Sequence, residues 1–114
     1  MSVVIWHNPR CSKSRATLAL LGDRGITPDV RLYLQDAPTE EELQKALKYL
    51  GLGAADIVRK GEAEYKQAGL TSESSQDDLI HAMQAHPKLI ERPIVFSNGQ
   101  ARIGRPPEAV LDIL

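Results

Sequence analysis

The stretch "VVIWHNPRCSKSRATLALLGDRGITPDVRLYL", residues 3–34, decides the fold. Its first four residues are β-branched or aromatic, which predicts a short buried strand. Asn8 and Pro9 are turn formers, and from Ser12 alanines and leucines recur at helical spacing until Gly25, which predicts a helix. The last six residues, "DVRLYL", predict a second strand. A strand–helix–strand unit implies two parallel strands joined by a right-handed crossover.

The middle of the chain is predicted to be helical. Thr39 and Glu42 match a capping box, and apolar residues follow at helical spacing up to Leu50. Further helices are predicted at residues 54–59, 62–68 and 76–85.

The C-terminal part predicts a hairpin and a helix. Strands Ile94–Phe96 and Ala101–Ile103 flank the turn dipeptide Asn98-Gly99, and "RPPEAVLDIL" opens a helix with prolines in its first turn. The element order is therefore β-α-β, a helical middle, then β-β-α. This order predicts an α/β thioredoxin-like fold, with a mixed four-stranded sheet flanked by helices. One domain is expected over residues 1–114, with a helical insertion at about 37–88.

Composition excludes several classes of protein. The chain has 114 residues, 42% hydrophobic and 25% charged, which suits one globular core. Its net charge of −1 gives no reason to expect nucleic-acid or membrane-surface binding. No signal segment opens the chain, and no apolar run approaches the roughly 18 residues of a membrane span, so a soluble cytoplasmic protein is expected. The histidines, His7, His81 and His86, show no zinc-site spacing with the one cysteine, so no metal is expected.

The one cysteine, Cys11, lies where the first turn gives way to the first helix. Free N–H groups at a helix N-terminus and the positive end of the macrodipole favour an anion. Arg10, Lys13 and Arg15 add nearby positive charge, and His7 could add more. We therefore expect a thiolate nucleophile whose surroundings also fit a tetrahedral oxyanion. The alternative is a small buried apolar side chain, as free cysteines commonly are.

Three arginines stand at predicted element boundaries: Arg59, Arg92 before Pro93, and Arg105 before Pro106. Each alone could be a solvated or capping cation. In a thioredoxin-like layout, residues before the third strand and before the last helix can face the first strand–helix turn. Guanidinium groups that converged there would offer forked donors to an oxyanion.

Four segments together resemble the ArsC family of glutaredoxin-dependent arsenate reductases, and in particular its shorter YfgD-like branch. They are "HNPRCSKSR", "RK" at residues 59–60, "HPKLIERPIV" and "RIGRPPEAVLDIL". The resemblance covers essentially the whole chain, in order. It implies a thioredoxin-like fold with a helical insertion, and it implies that Pro93 is the cis-proline before the third strand.

The resemblance also implies residue roles. Cys11 would attack arsenate, and Arg59, Arg92 and Arg105 would hold the anion, for which phosphate would compete. His7 and Ser14 would support the thiolate, by charge and hydrogen bonding respectively. Glutathione, as co-substrate, and glutaredoxin would supply the electrons, and no tightly bound cofactor would be needed.

Two other functions remain open at this stage. One is a glutathione-linked thiol oxidoreductase that acts on a different small electrophile or oxyanion. The other is an Spx-like regulatory protein that binds RNA polymerase. Such regulators sense redox state through a C-x-x-C pair, whereas Ser14 occupies the second position here.

Overall fold

The computed structural model describes residues 2–114. The chain forms two compact units. The first contains the residues up to Asp36 together with Arg92–Leu114, and the second is Ala37–Glu91.

The first unit contains a four-stranded mixed sheet. Its strands are β1 (Val4–Trp6), β2 (Asp29–Arg31), β3 (Ile94–Ser97) and β4 (Gln100–Ile103), in the order β2-β1-β3-β4. β1 and β2 are parallel, as the crossover predicts, whereas β3 is antiparallel to both β1 and β4. The sheet therefore confirms the predicted fold class.

The core of the first unit lies between the sheet, helix α1 (Ser12–Asp23) and a C-terminal 3₁₀ helix (Pro107–Ile113). Five buried apolar residues form its centre: Ile5, Leu21, Val95, Val110 and Ile113. This packing fixes α1 against β1, so the turn that joins them has rigid supports on both sides.

Two boundaries in the first unit differ from the sequence prediction. β2 ends at Arg31 because the Leu32 carbonyl accepts hydrogen bonds from the N–H groups of Gln35 and Asp36, which turns the chain. The last helix is 3₁₀ rather than α, with the Ala109 N–H donating to Pro106 O at 3.0 Å. Its other end has the same i to i+3 pattern, since the Leu114 N–H donates to Leu111 O at 3.4 Å.

The hairpin turn has the predicted geometry. Asn98 and Gly99 have φ angles of 57° and 71°. A two-residue turn that follows the twist of its strands needs positive φ at both central positions, which asparagine and glycine tolerate best. The turn therefore sets the register of β3 and β4.

The second unit is helical. It contains α2 (Glu40–Leu50), α3 (Ala54–Ile57), α4 (Ala63–Gln67), α5 (Gln76–Ala85) and a 3₁₀ turn at Pro87–Leu89. The predicted capping box is present: Thr39 Oγ1 accepts from the Glu42 N–H at 3.1 Å, and Glu42 Oε1 accepts from the Thr39 N–H at 3.0 Å. Among residues 2–114, no helix has both the length and the apolar character needed to cross a membrane.

Candidate active site

Cys11 is the residue that caps the N-terminus of α1. Its backbone is extended, with φ −94° and ψ 123°, and its N–H donates to Asn8 O at 3.0 Å. An N-cap side chain normally lies near the free N–H groups of the first helical turn. The cysteine is 8% exposed, so the residue is largely shielded from water.

The turn that carries Cys11 is held by its own polar groups. Asn8 Oδ1 accepts from the Arg10 N–H at 3.0 Å, and Arg15 Nη1 donates to Pro9 O at 2.9 Å. Asn8 therefore orders the loop, a role that the sequence prediction did not assign to it. The turn-forming preference of asparagine was the only sequence signal for it.

The structure lowers the pKa of the Cys11 thiol. Burial is the largest single effect and raises the pKa, because it disfavours the charged form. The backbone N–H groups of Ser14 and Lys13 and the positive charges of Arg92 and Arg105 together outweigh it. The cations that lower this pKa therefore include two that lie far along the chain from the cysteine.

Arg105 contacts the sulfur directly. Its Nη2 donates to Cys11 Sγ at 3.6 Å, and its Nε donates to the backbone carbonyl of Arg92 at 2.9 Å. Both arginines precede cis-prolines, at the Arg92–Pro93 and Arg105–Pro106 bonds. The first cis bond was implied by the family resemblance and is confirmed, whereas the second was not predicted.

His7 and Ser14 form a buried pair beside the thiol. His7 Nδ1 lies 2.6 Å from Ser14 Oγ, and the Asn8 N–H donates to the same oxygen at 3.0 Å. Burial, and then the positive charge of Arg15, lower the pKa of His7. Its ring is therefore mainly neutral at pH 7, so the positive charge expected from the sequence is not what this residue contributes.

The hydrogen bond expected from Ser14 to the thiolate comes from its main chain. Its hydroxyl is engaged by His7 and Asn8, and the group that lowers the pKa of Cys11 is the Ser14 backbone N–H. The side chain thus holds the turn in place, while the main chain stabilises the thiolate.

Gly104, which the sequence prediction did not single out, lies tightly packed between α1 and the Pro93 ring. A Cβ placed on it would lie 2.4 Å from Thr17 Oγ1 and 2.8 Å from Pro93 Cγ. Its N–H donates to Pro93 O at 2.9 Å. An isolated glycine at a strand end is a known sign of close backbone approach, and this was the available sequence signal.

Arg59 belongs to the helical unit, and its contacts there are well defined. Its Nη1 pairs with Glu62 Oε1 at 2.7 Å and lies 3.4 Å from Lys88 O. The structure thus brings together Cys11, His7, Ser14, Arg92 and Arg105 within the first unit, whereas the predicted role of Arg59 in anion binding stays a prediction.

Residues 2–114 contain no cluster of side chains suited to binding a metal ion. No three His, Cys, Asp or Glu side chains in this part of the chain are grouped so that they could hold a metal ion.

A buried cysteine at a helix N-terminus that Arg105 contacts, together with the cis bond before Pro93, agrees with the family resemblance. A profile of the ArsC family matches residues 6–113. The chain belongs to the ArsC family. The match spans the cysteine turn, the helical unit and both arginine–proline segments.

Individual relatives are similar to this chain over nearly their whole length. An arsenate reductase from Haemophilus influenzae is 49% identical over 100% of both chains. The uncharacterized protein YfgD from Escherichia coli K12 is 52% identical over 98% of this chain and 96% of that one. The solved structure of an arsenate reductase from Vibrio cholerae has 57% identity and a TM-score of 0.96, and covers 100% of this chain and 98% of its own. These similarities confirm the thioredoxin-like fold.

Proposed function

We propose that this protein is an arsenate reductase in which the Cys11 thiolate is the nucleophile. The observation that carries the proposal is the 3.6 Å contact between Arg105 Nη2 and Cys11 Sγ, at a thiol whose pKa is lowered. The thiolate and an oxyanion are both negatively charged and repel each other. A guanidinium beside the sulfur offsets this repulsion and lets the oxyanion approach. Similarity to arsenate reductases from Haemophilus influenzae and Vibrio cholerae supports the choice of substrate.

The first step joins sulfur to arsenic. The Cys11 thiolate attacks the arsenic of arsenate, and one arsenate oxygen takes up protons and leaves as water. The product is a covalent thiol–arsenate adduct in which arsenic is still As(V). Arg105 and Arg92 would stabilise the negative charge on the remaining oxygens, because guanidinium groups offer paired donors to oxyanions.

Reduction of As(V) to As(III) then requires two electrons. Cys11 is the one cysteine in the chain, so the second thiol of a disulfide must come from another molecule. In the proposed sequence, glutathione adds its thiol to the adduct. The glutathione sulfur bonds to Cys11 Sγ, the Sγ–As bond breaks, and its electron pair passes to arsenic. Arsenite leaves as As(III), and a Cys11–glutathione disulfide remains. Glutaredoxin removes the glutathione by thiol–disulfide exchange and restores the Cys11 thiolate. A reducing compartment such as the cytoplasm would suit this cycle.

Binding of the oxyanion is proposed to use Arg59, Arg92 and Arg105. Phosphate has the same shape and charge, so it should occupy the same groups. It would not be reduced, which makes it a competitive inhibitor.

The test is a steady-state assay of arsenite formation with glutathione and glutaredoxin. We expect turnover with arsenate, competitive inhibition by phosphate, and turnover that depends on each of the two electron donors. Selenate and sulfate are assayed in parallel. If one of them were reduced faster than arsenate, that oxyanion would be assigned as the substrate instead. No reduction of arsenate under any donor combination would refute the proposal.

A further inference from the structure

The close packing around Gly104 is supported by groups that cannot easily move. A Cβ at this position would meet Thr17 Oγ1 at 2.4 Å, Pro93 Cγ at 2.8 Å and Thr17 Cγ2 at 3.1 Å. Real side chains do not tolerate the first two separations, so either Gly104 or its neighbours would have to shift. By contrast, a Cβ at Gly22 or Gly61 would meet nothing within 4 Å.

Thr17 cannot turn away without loss. It is fully buried, at 0% exposure, and its hydroxyl donates to Lys13 O at 2.8 Å. That bond holds it to the first turn of α1, the turn whose Lys13 and Ser14 N–H groups stabilise the thiolate. A displacement of Thr17 would therefore shift the Lys13 and Ser14 N–H groups relative to the Cys11 sulfur.

Pro93 and Arg105 connect Gly104 to the two cations. The Gly104 N–H donates to Pro93 O at 2.9 Å, and the Nε of the next residue, Arg105, donates to Arg92 O at 2.9 Å. The segments 92–93 and 104–105 are thus joined by two hydrogen bonds. Any displacement of Gly104 would move Arg105 relative to Cys11.

We propose that Gly104 is a positioning residue, and that its missing side chain lets Arg105 and Arg92 approach Cys11 closely enough to hold an oxyanion against the sulfur. It acts by allowing contact between β4, α1 and the Pro93 ring, and it touches no reacting atom itself. The consequence for arsenate rests on the proposed function, whereas the consequence for the thiol does not.

The first experiment compares Gly104→Ala with Gly22→Ala, the matched control in α1. The rate of iodoacetamide alkylation is measured against pH without arsenate, and the arsenate KM is measured separately. We expect the alkylation midpoint of folded Gly104→Ala to rise by about one pH unit and its arsenate KM to rise about tenfold. The control should keep the wild-type midpoint and KM. Wild-type values for both quantities in Gly104→Ala would overturn the proposal.

The second experiment asks whether Thr17 is the obstacle. Thr17→Ala removes the two side-chain atoms that a Cβ at Gly104 would meet on α1. The Pro93 contact at 2.8 Å remains, so we expect partial relief in the double variant Thr17→Ala/Gly104→Ala. The added alanine at position 104 should raise the alkylation midpoint less in the Thr17→Ala background than in wild type. If Gly104→Ala does not fold, recovery of folding in the double variant supports the contact. A double variant as impaired as Gly104→Ala overturns the proposal.

The two readouts separate this inference from the proposed function. A raised midpoint in Gly104→Ala, in a protein whose wild type reduces no arsenate, would keep the positioning role and refute the arsenate assignment. Normal arsenate reduction by wild type, together with a wild-type midpoint and a wild-type arsenate KM in Gly104→Ala, would keep the arsenate assignment and refute the positioning role.

Discussion

Arg105 Nη2 lies 3.6 Å from Cys11 Sγ, although the two residues are 94 positions apart in the chain. Cys11 caps α1 at one end of the sequence, and Arg105 follows β4 near the other. The antiparallel pairing of β1 with β3, and of β3 with β4, brings these two ends together. The charge that favours the thiolate is therefore a product of the tertiary fold.

Replacement of Arg105 by glutamine should weaken both ionisation of the thiol and binding of the anion. Loss of the guanidinium removes one of the charges that lower the pKa of Cys11, so the alkylation profile should move to higher pH. The arsenate KM should rise about tenfold or more, in line with the loss of a charged hydrogen bond.

Arg102→Gln is the matched control for this prediction. Arg102 is a β4 residue whose Nη1 donates to Ala101 O at 2.8 Å, and it is not among the groups that lower the pKa of Cys11. Equal alkylation profiles in the Arg105 and Arg102 variants would remove Arg105 from the site.

Cys11→Ser should abolish arsenate reduction and leave the folded protein intact. Serine is close to cysteine in size, and the hydroxyl is not ionised at neutral pH, so no nucleophile remains. We expect the free energy of unfolding near neutral pH to change by about 1 kcal/mol or less. Chemical denaturation and the coupled assay measure the two effects. Residual turnover above that of a protein-free blank would contradict the mechanism.

Stability should depend on pH through the same thiol. Because folding lowers the pKa of Cys11, the unfolded chain binds more protons than the native chain between the two pKa values. The stabilisation is complete above the unfolded pKa of about 8.5 and is lost as pH falls through the folded pKa. The free energy of unfolding of wild type, relative to Cys11→Ser, should therefore increase as pH rises toward about 9. A difference that is independent of pH would show that the folded thiol has an ordinary pKa.

Ser14→Ala should lower the free energy of unfolding while changing the alkylation of Cys11 only slightly. The hydroxyl accepts from the Asn8 N–H and lies 2.6 Å from His7 Nδ1, so its loss leaves partly buried polar groups without this partner. Such a loss costs about 1–3 kcal/mol. The Ser14 backbone N–H remains, so the alkylation midpoint should shift less than in Arg105→Gln.

Ser12→Ala, at an exposed position of the same helical turn, is the control for the serine substitution. It should leave both stability and alkylation unchanged. If Ser14→Ala behaved like Ser12→Ala in denaturation, the buried pair would have no structural role.

Arg59→Gln separates anion binding from activation of the thiol. Arg59 is predicted to help hold arsenate but is not among the groups that lower the pKa of Cys11. We therefore expect a higher arsenate KM with an unchanged alkylation profile. Loss of the 2.7 Å ion pair with Glu62 is a separate effect of this substitution, and Glu62→Gln controls for it. An unchanged KM in Arg59→Gln would exclude the residue from the binding site.

Local sequence signals predicted those parts of the fold that local chemistry determines. The Asn98-Gly99 turn and the capping box at Thr39 are present because each depends on residues at most three positions apart. Element ends were less predictable when distant partners set them. The helix expected at residues 54–59 ends at Ile57, because Val58 is extended and forms a bridge with Ile90.

The site was predictable to a similar extent. The position of Cys11 at a helix N-terminus follows from its neighbours, and the structure confirms it. The cations next to it in sequence were expected to lower its pKa, yet the charges that do so belong to Arg92 and Arg105. Their places before the third strand and before the last helix, together with the family resemblance, pointed to those arginines as ligands of an oxyanion. An isolated glycine at a strand end signals close approach at Gly104, but its partners Thr17 and Pro93 are known only from the fold.

The contact between residues from opposite ends of the chain also makes thiol reactivity a reporter of folding. In the unfolded chain, Cys11 loses Arg92, Arg105 and the helical amides, so it reverts to a mostly protonated, slowly reacting thiol at pH 7. The ratio of the native to the unfolded alkylation rate should therefore grow as pH falls below the unfolded pKa, which gives a pH-dependent measure of the native fraction.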